Sequence, residues 1–305
     1  MAGERSDDGV WSTTLQRSKE VIIESFKFHL RARNLSPRTI KATEDYLRPF
    51  LATCDPLEAT QRNVEAYLAE MTTRCTPATV FTAWRHLRSF FQWLHAEGDI
   101  TTDPTKHIPK PIVPPTEVPI PTIDEIQRLL KCCAGQERTA RRDYALITIM
   151  LDTGLRLTEV TNLTIEDISE DYTLRVFGKG RKWRTVQLGR TSSLALSRWL
   201  RIRPTDTNRL WIGRLGPLTD SGIRRIIRLR GKQAGINLHP HMLRHSFVDN
   251  WLRNGGTEID LARLCGWTTT RMASHYAQFR AEERALAAHT VVQPLDRLKQ
   301  TKNPA

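Results

Sequence analysis

His239-Pro240-His241-Met242-Leu243-Arg244-His245-Ser246-Phe247 leads into a helix expected over residues 241–253. The His-x-x-Arg spacing puts His241 and Arg244 on one face, one turn apart. A titratable imidazole and a fixed cation can then converge on one phosphate. Downstream come Leu264-Cys265-Gly266-Trp267 and, ten residues after Gly266, Tyr276 in a polar stretch with few apolar neighbours. Upstream lies Thr153-Gly154-Leu155-Arg156-Leu157-Thr158-Glu159, and between them the basic turn Gly178-Lys179-Gly180-Arg181-Lys182. Two arginines, a histidine, a lysine, an indole and a phenol are what attack on a phosphodiester needs when no metal takes part.

Displacement at phosphorus builds charge on the non-bridging oxygens. Arginine meets that charge best, because its planar fork bonds two oxygens at once and stays protonated. Arg156 and Arg244 are the candidates, each contact being worth on the order of 10²–10³ in rate. Arg156 stands at the head of a helical turn, and Glu159, three residues on, is close enough to orient it. Taken alone, either arginine also reads as an ordinary surface residue. His241 suits the base that takes the phenolic proton, since both its forms exist near neutral pH. His239 and His245 flank it and bring zinc into consideration. Pro240 breaks their register and no carboxylate or cysteine completes a sphere, so no metal is expected. His245 is expected to pack or to bond backbone beneath the site. A leaving alkoxide needs a general acid. A lysine of the hairpin turn, Lys179 or Lys182, could supply it, while Arg181, Lys182 and Arg184 are candidate ligands of backbone phosphates. Tyr144 and Tyr172 fall in helix and strand contexts and read as structural.

Charge distribution points to the same partner. The chain has 305 residues and a formal net charge of +13. Residues 1–110 hold 15 Lys+Arg against 14 Asp+Glu, whereas Lys179 to Lys232 alone holds 15 against 2. A single-sign concentration repels itself unless a polyanion neutralises it, which makes duplex DNA the expected partner. The cysteines (Cys54, Cys75, Cys132, Cys133, Cys265) are odd in number and lack ligand spacing, so they read as buried thiols in a reducing compartment. The first twenty residues lack an apolar core and no run reaches membrane-spanning length, so a soluble cytoplasmic protein without membrane contact is expected.

Seven prolines (104, 109, 111, 114, 115, 119 and 121) mark residues 103–121 as a semi-rigid linker. Before it, four amphipathic helices are expected, two of them opened by Ser36-Pro37 and Thr76-Pro77, a cap residue followed by proline. Phe28 broadens the apolar face of the first. Arg33, Arg38, Lys41, Arg85 and Arg88 could line one face of this region toward DNA. After the linker, Thr122-x-x-Glu125 is a capping box. A buried helix spans Tyr144–Asp152 and ends at Gly154, strands are expected at 173–177 and 183–188, and Leu210-Trp211-Ile212 reads as a third. Helices follow at about 191–202, 219–234, 241–253, 257–265 and 272–288. The fold class is therefore mainly α with a small antiparallel sheet, an α+β arrangement. The expected layout is a disordered N-terminus (1–14), a four-helix DNA-binding domain (15–102), the linker (103–121), a catalytic domain (122–292) and a flexible tail (293–305).

These motifs resemble the tyrosine recombinases, the phage-integrase and Xer-type site-specific recombinases, over most of the chain. The family shows the same Thr-Gly-Leu-Arg-x-x-Glu pattern with its arginine on phosphate, and its catalytic lysine takes the place of Lys179 in the Gly-Lys-Gly turn. Its nucleophilic tyrosine stands at the distance of Tyr276 from a Leu-x-Gly-His or Leu-x-Gly-Trp element. The resemblance implies a helical DNA-binding domain, a catalytic domain, and a homo-tetramer that joins two specific DNA sites. It implies cleavage to a 3′-phosphotyrosine, which stores the energy of the broken bond and requires neither metal nor ATP; the chain has no Gly-x-x-x-x-Gly-Lys loop. Trp267 departs from the commoner histidine: its indole donates but does not titrate. Helix 281–288, with Leu286, could dock on a neighbouring subunit or on its own domain. No further arm-type domain is expected before the four helices. The alternatives are a type IB topoisomerase-like relaxing enzyme and a non-catalytic DNA-binding regulator.

Overall fold

A computed structural model describes residues 18–114, 119–178, 182–270, 273, 274, 286 and 289. The chain divides into two compact units, residues 1–116 and 117–305. The expected disordered N-terminus, the expected tail and most of the helix expected at 272–288 lie outside the described residues.

The first unit contains α1 (Lys19–Ala32), α2 (Pro37–Thr53), α3 (Gln61–Arg74) and α4 (Pro77–Glu97). Local chemistry sets their starts. The hydroxyls of Ser36 and Thr76 accept from the backbone N–H groups of Thr39 and Thr79, each with proline at the first turn. Thr60 and Asn63 form a reciprocal capping box. The helices bury Phe26, Phe50, Leu87, Phe90, Phe91 and Leu94 in one core, where Phe26 meets Phe90 edge-on at 5.2 Å. Phe28 does not join it and is 71% exposed, because it lies off the stripe set by Ile22, Phe26 and Leu30. The proline-rich stretch begins as part of this unit: Thr105 and Ile108 are buried, and Arg88 donates to the Thr105 carbonyl at 3.1 Å.

The second unit contains α5 (Ile123–Cys132), α6 (Arg138–Thr153), α7 (Leu157–Asn162), a 3-10 turn (Ile165–Asp167), β1 (Thr173–Phe177), β2 (Trp183–Gln187), α8 (Arg190–Leu200), β3 (Ile212–Gly213), β4 (Gly216–Pro217), α9 (Asp220–Gln233), α10 (Pro240–Arg253) and α11 (Glu258–Cys265). The unit is helical, with two small antiparallel sheets, β1–β2 and β3–β4. Its centre is α6, whose Leu146, Ile147, Ile149 and Met150 are fully buried and which packs against α8 and α10. This helix starts six residues before the expected Tyr144, at Arg138, and Glu137 before it makes no side-chain cap bond that would have marked the start in the sequence. Arg142 and Arg230 hold the two oxygens of buried Asp143 and so fasten α6 to α9. Leu210-Trp211-Ile212 contributes only Ile212 to a strand: Leu210 and Trp211 are core residues, and Leu210 accepts from the Trp199 indole at 3.0 Å. Tyr172 stands in a left-handed turn before β1 (φ 58°) rather than in a strand. Among the described residues no helix is long and apolar enough to cross a membrane.

Candidate active site

The site is built on the end of one short helix. The last carbonyls of a helix have no partner inside it, and at the end of α11 three guanidinium groups supply one each. Arg184 Nε donates to Leu264 O (2.7 Å), Arg244 Nη2 to Cys265 O (3.0 Å) and Arg156 Nη2 to Gly266 O (3.4 Å). The negative pole of the helix favours the same placement. Gly266 then turns the chain through a left-handed conformation (φ 61°) and Trp267 follows, its ring 5.2 Å from the Arg244 guanidinium carbon.

Arg156 comes from the junction of α6 and α7. Gly154 ends α6 in a left-handed conformation (φ 60°), and Arg156 is the N-cap of α7 with Glu159 at its third position. Glu159 is buried and accepts four bonds. Arg156 gives it backbone N–H (2.8 Å) and Nη1 (2.8 Å); Arg184 gives Nη1 (3.0 Å) and Nη2 (2.8 Å). Burial opposes ionisation of this carboxyl, but the bonds and charges of Arg184 and Arg156 outweigh it and hold the pKa below the carboxylate range.

Arg244 and His241 come from α10, three residues apart. Arg244 is 3% exposed and donates Nη1 to Gly154 O at 2.5 Å. Two of its five N–H groups go to backbone, which leaves donors for an anion. Burial lowers its pKa from the ordinary arginine value. His241 faces solvent on one side and meets the His245 ring edge-on at 5.3 Å. Packing of the surrounding protein, then the charges of Arg244, His239, Arg156 and Arg224, depress its pKa. His245 is buried beneath it, and burial pushes its pKa down to about 4. Among the described residues no group of three His, Cys, Asp or Glu side chains is placed to share a metal ion.

The structure therefore gathers Arg156, Glu159, His241, Arg244, His245 and Trp267. Lys179, Arg181 and Tyr276 lie outside the described residues. Their described neighbours are informative. Gly178 N–H bonds Lys182 O (2.9 Å), and a Cβ on Gly178 would stand 2.8 Å from Arg184 Nη1, so the base of the hairpin abuts the arginine cluster. Lys182 is exposed. Ser274 Oγ bonds Glu258 at the start of α11 (2.8 Å).

Arg184 is a correction. Expected as a phosphate ligand on the hairpin surface, it points inward, with all three of its guanidinium nitrogens engaged by Glu159 and Leu264 O. The register explains this: Arg184 pairs with Val176 and lies on the same strand face as Val186, both buried. Alternation along β2 was the available signal; the charge of the residue concealed it. In the first unit Arg33, Arg38 and Arg85 are exposed, Lys41 pairs with Asp45 at 2.8 Å, and Arg88 lies over the Trp84 ring at 5.4 Å.

Residues 122–283 match the model of the phage integrase family, and residues 22–98 match its N-terminal SAM-like domain. Tyrosine recombinase XerD of Listeria monocytogenes serotype 4b (strain F2365) is 29% identical over 285 residues, covering 86% of this chain and 96% of the relative. Tyrosine recombinase XerC of Salmonella typhi is 29% identical over 260 residues, covering 80% and 86%. A crystal structure of a lambda integrase tetramer bound to a Holliday junction shares the fold, with a TM-score of 0.70 and 18% identity over 84% of this chain and 76% of that one. Neither a relaxing enzyme nor a non-catalytic regulator is favoured by these relatives. The chain belongs to the phage integrase family and is a tyrosine recombinase, an enzyme of site-specific DNA recombination.

Proposed function

We propose that this recombinase cuts and rejoins duplex DNA with Tyr276 as nucleophile and a 3′-phosphotyrosine as intermediate. Arg156 and Arg244 bind the non-bridging oxygens of the scissile phosphate, and Trp267 donates its indole N–H there. His241 takes the phenolic proton and Lys179 protonates the leaving 5′ oxygen, so the step requires neither metal nor ATP. Glu159 and His245 support the arginine and the histidine from behind. Arg33, Arg38, Lys41, Arg85 and Arg88 of the helical region 15–102, with Arg181 and Lys182, contact the DNA backbone. The catalytic domain spans 122–292 and the segment 103–121 links the two. The enzyme works in the cytoplasm as a homo-tetramer on two sites, as the tetrameric lambda integrase on a Holliday junction supports.

One observation carries the reading. Arg156 and Arg244, far apart in sequence, bond the neighbouring carbonyls Gly266 O and Cys265 O, and Arg244 sits against Trp267. Two fixed cations and an indole so aligned suit one phosphate. The test is a nicked suicide duplex in EDTA, analysed for a covalent protein–DNA adduct. The wild-type chain should form it and Tyr276→Phe should not. An adduct that survives this substitution refutes Tyr276; one that requires a divalent cation refutes the metal-free step.

A further inference from the structure

We infer that Arg184 is a positioning residue for strand cleavage: it fixes Glu159, and through it the guanidinium that meets the scissile phosphate. The inference rests on the role given to Arg156 above. Arg184 belongs to β2, Glu159 to α7 and Leu264 to α11, and one guanidinium bonds the last two while its backbone stays in the sheet. Its Nη1 and Nη2 take both oxygens of Glu159 (3.0 and 2.8 Å), and Nε takes Leu264 O (2.7 Å). The remaining capacity of Glu159 goes to Arg156, at Nη1 and at the backbone N–H, both 2.8 Å. Glu159 alone, on the short α7, could swing about its own torsions. With Arg184 forked onto it, the carboxylate presents a single orientation to Arg156.

The cluster is closed on two further sides by backbone. A Cβ on Gly266 would stand 3.1 Å from Arg184 Nη1, and one on Gly178 would stand 2.8 Å from the same atom. Arg184 therefore lies between the base of the hairpin that carries Lys179 and the turn that carries Trp267. It reaches no phosphate itself, since its side chain is 11% exposed and its nitrogens are engaged. Its effect on the reaction passes through its neighbours.

The test uses a nicked duplex bearing the sequence that the wild-type chain captures covalently from a random-sequence pool, made in two forms. One has an ordinary scissile phosphate. The other has a methylphosphonate, which lacks one anionic oxygen and so depends less on a placed guanidinium. Arg184→Gln should slow adduct formation on the phosphate by about 10- to 100-fold, the loss expected when a catalytic group shifts by a fraction of an ångström to an ångström. DNA affinity should hold, and the deficit should shrink to about threefold or less on the methylphosphonate, where the charge–charge contact no longer limits the rate. Arg184→Lys should recover only part, because one ammonium cannot hold both carboxylate oxygens and Leu264 O together. A wild-type rate for Arg184→Gln, an equal deficit on both substrates, or unfolding of both variants where the wild type is folded overturns the inference. If the wild-type chain itself captures no DNA, it is the assignment of Tyr276 that fails.

Discussion

Replacing Gly154 with alanine tests how tightly the arginine site is built. Gly154 has φ +60°, and its added Cβ would stand 2.3 Å from Phe247 Cδ1, 2.9 Å from Cγ and 3.1 Å from Cε1. The cost has two parts. An L side chain in the left-handed region loses about 1–2 kcal/mol. Forcing a methyl against a ring that belongs to a buried apolar cluster with Val248, Leu252, Leu261 and Cys265 costs about 1–3 kcal/mol more. Gly235, in the same unit, isolates the first part: its φ is +74° and nothing lies within 4 Å of the added Cβ. Alanine also restricts the unfolded chain, by about 0.4–1 kcal/mol, but equally at both positions, so this gain cancels in the comparison. Urea unfolding followed by tryptophan fluorescence should find Gly154→Ala less stable than Gly235→Ala by about 1–3 kcal/mol. The carbonyl of Gly154 holds Arg244 at 2.5 Å, so Gly154→Ala should also slow covalent adduct formation while Gly235→Ala does not. Equal stabilities and equal rates for the two variants would refute the close packing argued for α6 and α10.

Glu159→Gln leaves two partly buried guanidinium groups around an uncharged amide; it should cost about 3 kcal/mol in the same unfolding assay, the low end for breaking a buried ion pair, and slow cleavage, and an unaffected midpoint would contradict the role of the carboxylate as hub. The pH dependence of stability should change with it. Because the folded pKa of Glu159 is depressed below its ordinary value of 4.5, its contribution is full above that value and is lost as pH falls through the depressed pKa; Glu159→Gln should therefore show a shallower loss of stability in acid. His241, also depressed, stays neutral and able to accept a proton below its ordinary pKa of 6.5. Adduct formation at subsaturating DNA, which reports the free enzyme, should therefore hold its rate as pH falls past 6.5 and decline only below that, so a half-maximal rate at or above 6.5 under these conditions would exclude His241 as the base described here.

Local chemistry was the legible part of this fold. Ser36-Pro37, Thr76-Pro77 and Thr122-x-x-Glu125 each announce a helix start through a hydroxyl and a backbone N–H three residues on, and each start is observed. The start of α6 carried no such mark, since Glu137 makes no side-chain cap bond. The strand pair was readable from alternation, whereas β3 and β4, two residues each, are too short to produce any. That Arg156, His241 and Arg244 come together was legible because their placement is local: a turn after Gly154, and one face of α10. Arg184 was misread because its partners are remote. Glu159 lies 25 residues away and Leu264 lies 80 residues away, and an arginine on the inner face of a strand can be buried only when such partners exist. The alternation of β2 already put Arg184 inward; only the assembled unit shows what neutralises it.

The charge balance of the cluster explains why the fold tolerates it and what it is prepared to receive. Arg156, Arg184 and Arg244 bring three positive charges to one helix end, and Glu159 cancels one. Like charges so close would repel strongly in a site sheltered from water. Part of that cost is met by the α11 carbonyls, which stand at the negative pole of the helix and accept one bond from each guanidinium. Carbonyl dipoles carry no net charge, so an excess of two positive charges remains. A phosphodiester under attack by a phenolate passes through a species with two negative charges, against one in the ground state. With Arg156 and Arg244 on the scissile phosphate as proposed, the excess matches the transition state better than the bound DNA, and a site held rigid by backbone carbonyls keeps that mismatch in the ground state instead of relaxing around it. Under that proposal the C-terminal end of α11 belongs to the catalytic apparatus although it supplies no reacting group. Any change that removes an acceptor there, by unwinding the last turn or by shifting Gly266 out of its left-handed conformation, should raise the barrier to cleavage more than it weakens binding.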